Sequence, residues 1–144
     1  MRHSINKYLF AVVVIIASLL IAKFGMWRWT ISHFSELQSD QLATIDQLGQ
    51  FPPAGVEHHQ WESHLGTLHN VWANVFCYPE YSGLSSAQMQ SLQMKLDEIL
   101  AETTQDNSIE SVDRVFELML QNSPRKEFIS RYREGFQYYR KVAL

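Results

Sequence analysis

Apolar residues run along the chain in three different spacings, and each predicts a different kind of element. Residues 8–22, YLFAVVVIIASLLIA, are apolar on every face and carry no charge. Extended to Trp27 the run reaches 20 residues, with Lys23 as its one charge. As an α-helix it covers about 30 Å, the thickness of a bilayer's hydrocarbon core. Lys23 can reach the interface by laying its stem along the helix. Tyr8 at one end, and Trp27 and Trp29 at the other, match the aromatic belts of membrane spans. The pattern predicts a short tail over 1–7 and a transmembrane anchor over 8–27. A cleaved secretory signal is the rival reading, with Met1–Lys7 as its positive region. For a cut after Ala22, however, Leu20 stands where a small residue is preferred.

The second spacing is a weak seam. Ile31, Phe34, Ile45 and Leu48 fall on one helical stripe, but Gln38 and Gln41 interrupt it. Residues 28–50 therefore read as a juxtamembrane helix, either a stalk or one arm of a bundle. Gly49, Pro52, Pro53 and Gly55 then break the chain.

From residue 56 onward the spacing is that of one-sided helices, and no period-two alternation is sustained. Trp61, Leu65, Leu68, Trp72, Val75 and Phe76 form a broad face over 56–76. Ser85 followed by Gln88 is a capping box ahead of Met89, Leu92, Leu96, Ile99 and Leu100. Asn107 with Glu110 repeats that signature ahead of Val112, Val115, Phe116, Met119 and Leu120. Ser123 and Pro124 end this helix and start a last one, which carries Phe128, Tyr132, Phe136 and Tyr139. The expected fold is all-α: one N-terminal transmembrane helix, then a small antiparallel helical bundle over 56–144. Each of its helices has one face to bury, on its neighbours or on a partner.

Charge sharpens this picture. Residues 29–124 hold thirteen acids against Lys95 and Arg114, a net of −11. Residues 125–144 are +4 and residues 1–28 are +4, so the whole is −3. An acidic body argues against nucleic-acid binding. The basic last helix is placed to answer the acidic body, an anionic lipid or a partner. On the fourth helix Glu110, Asp113 and Glu117 share a face, where like charges repel unless met by a cation. Arg131, Arg133 and Arg140 of the last helix are the expected answer. Around the apolar run, Arg2 and Lys7 nearly balance Lys23 and Arg28, so the positive-inside rule is close to a tie. The short tail and free amine favour a cytoplasmic N-terminus, with residues 28–144 translocated.

Candidate chemistry concentrates in EHHQWESHLGTLHNVWANVFCYPEY, residues 57–81, with four of the six histidines and the only cysteine. His58, Glu62 and His69 share one flank of the helix. Yet His58 and His69 are 11 residues apart, a rise of about 16 Å. Metal–nitrogen bonds are about 2 Å, so one ion cannot bridge them. His58 and Glu62 are one turn apart and suit a boundary pair, with pH-dependent charge. A metal set would need His33, Cys77 or acids from other helices. Cys77 lies in acidic, aromatic surroundings, which favour an inert thiol. Met89, Met94 and Met119 read as gap fillers. There is no glycine-rich phosphate loop, no GxSxG, no HExxH and no CxxCH.

No cofactor, no small-molecule substrate and no enzymatic constellation is therefore expected. The function expected is a non-enzymatic, membrane-anchored helical interaction module, with lipid around residues 8–27 and a protein partner. Its contact candidates are Trp61, Arg131, Arg133, Tyr138 and Arg140, because aromatics and arginines carry most interface energy. The alternative is a metal- or haem-responsive sensor built on helix 57–77, using His58, Glu62, His69 and His33.

Overall fold

The computed structural model describes the backbone of residues 2–143 and the side chains of residues 8–138, 140 and 141. The tail 1–7 and Tyr139 lie outside the described side chains. Among the described residues 84% of the chain is helical and no strand is present, so the fold is all-α. The helices are α1 (Arg2–Gln47), α2 (His58–Val75), α3 (Pro79–Ser82), α4 (Ser86–Glu102), α5 (Ser108–Asn122) and α6 (Lys126–Ala143). A 3-10 turn, Leu48–Gln50, follows α1 directly. The chain divides into two compact units, Met1–His33 and Phe34–Leu144.

The first unit consists of the N-terminal stretch of α1. Its apolar side chains face outward all round: Ile15 is 59% exposed, Leu19 65% and Ile21 72%. The most apolar window of this helix has no buried residue, and it is long and apolar enough to cross a membrane. Phe24 leans on Trp27 at 5.8 Å. Thr30 Oγ1 donates to the Met26 carbonyl at 2.9 Å, a back-bond within the helix.

The second unit begins at Phe34, so residues 34–50 are an arm of the bundle rather than a stalk. Phe34, Ile45 and Leu48 enter a core shared with Trp61, Leu65, Leu68, Trp72, Val75 and Phe76 of α2 and its end. Met89, Leu92, Leu96 and Ile99 come from α4, and Val112, Val115, Phe116 and Met119 from α5. A large side chain buried to this degree stabilises the fold by about 1.5–3 kcal/mol. Among the described residues of α6, Ile129 is fully buried; Phe128 and Phe136 pack against the core from its edge.

The interrupting glutamines turn out to face inward. Gln41 is fully buried, and its Nε2 donates to the Met89 carbonyl at 2.8 Å. Its Oε1 accepts from Trp72 Nε1 at 2.9 Å. An indole can only donate and a carbonyl only accept, so the two partners fix the orientation of the carboxamide. Gln38 Nε2 donates to the Ala73 carbonyl at 3.0 Å. Beside them Thr44 donates to Asp97 Oδ1 at 3.3 Å, and Gln93 Nε2 donates to both Thr44 Oγ1 and Asp97 Oδ1. One face of the arm is thus tied to α2 and α4 by side-chain amides.

Local signals set the ends of the helices. Ser85 and Gln88 form the full capping box: Gln88 N donates to Ser85 Oγ, and Ser85 N donates to Gln88 Oε1. Gly83, at φ +68°, supplies the left-handed residue that closes α3. The second expected box does not form. Asn107 Oδ1 instead accepts from Thr104 N at 2.6 Å, which fastens the loop before α5. Thr103 Oγ1 bridges that corner by donating to Ser111 Oγ at 2.8 Å. Pro124 stands ahead of α6 rather than at its first position, and the Arg125 carbonyl accepts the first helical bond, from Ile129 N.

Candidate functional site

The ion pairs foreseen between α5 and α6 are present, though not with every residue named. Arg133 reaches Glu117 at 2.6 Å and Asp113 at 3.5 Å, and Arg140 reaches Asp113 at 3.8 Å. Asp113 Oδ1 and Arg133 Nε are both buried and lack a geometric hydrogen bond. At 3.5 Å their opposite charges still compensate each other's loss of water. The other bundle arginines are also engaged. Arg114 pairs with Glu102, while Arg125 donates to the Asn74 carbonyl at 2.8 Å and stacks over Phe128.

Arg131 stands apart. Among the described residues it forms no hydrogen bond or ion pair. It lines a cleft of about 220 Å³ where α2, α5 and α6 meet. Leu68, Phe116 and Phe136 supply the apolar lining. Those rings are ordered by contact: Phe136 packs 6.0 Å from Phe116 and 6.4 Å from Trp61. The polar lining comes from His64, Thr67, Arg131 and Tyr132. Burial holds the His64 ring below its ordinary pKa of 6.5, because a charged imidazolium loses hydration there. Near neutral pH it is therefore a neutral hydrogen-bonding group rather than a second cation.

The histidine set does not gather. His58 Nε2 faces Glu62 at 3.2 Å, the one-turn pair expected from their spacing. His69 instead bonds Asp46 on α1 at 2.8 Å. A carboxylate only accepts, so this bond fixes the proton on His69 Nδ1. His33 belongs to the first unit, where its ring stacks on Trp29 at 5.4 Å. Among the described residues no group of three or more His, Cys, Asp or Glu side chains is placed to hold a metal ion. Cys77 is half-buried at the end of α2, and its Sγ lies 3.6 Å from the Asn74 carbonyl.

The contact candidates separate in the same way. Trp61 is 1% exposed and its Nε1 donates to the Leu48 carbonyl at 3.0 Å, so it is a core residue and not a contact surface. Its place on the wheel is central to the apolar face, which is why it is buried. Arg133 and Arg140 are spent on Asp113 and Glu117. Arg131 and Tyr138 remain outward-facing. The Asp46–His69 bond and the cleft were missed by sequence reasoning, because both need elements far apart in the chain. Comparison of the chain with protein-family models, with curated proteins and with solved structures finds no match.

Proposed function

We propose that the chain is a single-pass, membrane-anchored, non-enzymatic helical module that presents its bundle to a protein partner. The N-terminus lies on the cytoplasmic side, and residues 28–144 are translocated. The observation that carries this reading is the bare apolar helix over residues 8–27, whose large side chains have no protein cover. Such a surface in water is far larger than soluble monomers expose, and a bilayer is the solvent that suits it. Exposed aromatics support the partner half of the reading. Tyr78 and Tyr81 stand 5.9 Å apart on the bundle surface, and Tyr138 is 69% exposed.

Alkaline carbonate extraction of membranes tests the anchor. The chain should stay in the pellet and be released by detergent alone, with its N-terminal residues intact. Release by carbonate, or a mature chain starting beyond the apolar run, would end this reading. Cys77 is the only thiol and is half-exposed, so a membrane-impermeant maleimide applied to intact cells reads the orientation. Labelling without permeabilisation is the expected result. For the partner, a photo-crosslinking residue at Tyr138 should give one discrete adduct that is absent from a Trp61 position. Equal adducts at both sites would mean non-specific capture.

A further inference from the structure

The cleft between α2, α5 and α6 has features that folding alone does not require. Arg131 is one. The other arginines of the bundle neutralise an acid, bond a carbonyl or stack on a ring, and among the described residues Arg131 does none of these. Gly135 is another. It lies inside α6, where glycine is among the poorest helix formers. Glycine is often kept where a neighbour comes too close for a side chain, but a Cβ built at Gly135 meets nothing within 4 Å. Its lack of a side chain therefore relieves no clash. It leaves the cleft open, since Gly135 lines it.

The lining also has a definite chemical character. One side is apolar and aromatic, from Leu68, Phe116 and Phe136. The other is a single permanent cation, Arg131, beside a neutral imidazole at His64 and the hydroxyl-bearing Thr67 and Tyr132. A concave site that sets an apolar wall against a few polar groups is a usual form of ligand site. One guanidinium matches one planar anion through paired N–H donors. A dianionic phosphate would call for more positive charge than these walls supply. At about 220 Å³ the cleft suits a ligand of few heavy atoms.

We propose that this cleft is a binding site for a small monocarboxylate with an aromatic or branched apolar body, with Arg131 holding the carboxylate and the Phe116–Phe136 wall taking the body. All its walls belong to the unit Phe34–Leu144. The site therefore does not depend on where residues 8–27 reside. It would make the bundle a receiver of a small metabolite as well as a surface for a protein.

Titration calorimetry on the full chain in lipid nanodiscs tests this, with sodium phenylacetate as the probe. Phenylacetamide lacks the charge and acetate lacks the ring. Phenylacetate should bind at least about tenfold more tightly than either, the ratio expected when a charge-assisted hydrogen bond or a ring's burial is lost. Arg131→Gln should weaken phenylacetate at least about tenfold and leave the melting temperature unchanged, because among the described residues Arg131 has no hydrogen-bond or ion-pair partner. Gly135→Leu should abolish binding with the melting temperature held or raised. The proposal is overturned if the amide binds as well as the acid, or if Arg131→Gln keeps full affinity. It is equally overturned if phenylacetate gives no saturable heat up to about 10 mM, weaker than any useful site. Should Gly135→Leu fail to fold, Arg131→Gln alone decides.

Discussion

Two lengths of α1 use their residues in opposite ways. Over residues 8–27 the side chains are apolar and bare, with Leu20 62% exposed. Over residues 34–47 the sequence is mixed, and yet polar Gln41 is 0% exposed and Thr44 is 6% exposed. Within one helix, then, an apolar stretch stands bare while a polar side chain is buried beside Phe34 and Ile45. Polarity alone therefore does not set how deeply a residue of α1 lies; the surroundings each length meets do. The first length has only van der Waals surface to offer and needs an apolar surrounding. The second can enter a protein core because each polar atom it buries finds a partner there.

Substitution has its largest expected effect at the bare length. Ile16→Arg combined with Leu19→Arg should cost about 5–7 kcal/mol of insertion free energy. Membrane fractionation should show the chain lost from the pellet, while near-ultraviolet dichroism of the bundle stays unchanged. A bundle that lost its tertiary signal would show that the two lengths are not independent.

The next effect is expected at Gln41. Gln41→Leu keeps the volume and leaves Trp72 Nε1 without a partner, while the Met89 carbonyl keeps only its bond within α4. Stability should fall by about 1–3 kcal/mol, one buried donor left unsatisfied. Urea unfolding of the full chain in detergent, followed by tryptophan fluorescence, measures it. If leucine were neutral there, polar satisfaction would not explain why this length of α1 is buried.

Two neighbouring arginines on α6 sharpen the same point on a smaller scale. Arg133→Gln should lower stability by about 1–2 kcal/mol at low salt, since it uncovers Asp113 and Glu117, and by less as salt rises. Arg131→Gln should change it by less than about 0.5 kcal/mol. Thermal melts at two salt concentrations separate the pair.

The smallest effect comes from His64, and its sign follows from burial. Well above pH 6.5 the ring is neutral in folded and unfolded chains alike. Below 6.5 the unfolded chain takes the proton first, because burial lowers the folded pKa. Stability should therefore decline as pH falls from 6.5 through the folded value. His64→Gln should flatten that slope relative to the wild-type chain in melts recorded between pH 7 and pH 5.

Much of the fold could be read before any coordinates. The face of α2 was legible because Trp61, Leu65, Leu68 and Trp72 repeat at helical spacing and all become buried. The Ser85–Gln88 box was legible because capping is local. The α5–α6 ion pairs were legible because charge segregates so steeply that Asp113 and Glu117 have few other cations to meet. What stayed hidden depended on distant partners. Gln41 looked like an interruption because its two hydrogen bonds come from residues 31 and 48 positions away. Asn107 matched a cap in sequence, but its carbonyl oxygen is taken by Thr104. Ile129 was overshadowed by the aromatics on either side of it, although among the described residues of α6 it is the most deeply buried apolar side chain. The cleft depends on where three helices diverge, and spacing along one chain does not record that.

The Gln41 carboxamide has a mechanical consequence. It clasps an indole on α2 and a carbonyl on α4 at once. Sliding this length of α1 by a single residue would shift it about 1.5 Å and turn it by about 100°. Either movement would carry the amide away from both partners. The arm therefore has one notch in which it fits, and an axial tug or twist on residues 34–47 would be passed to α2 and α4 rather than absorbed as slip.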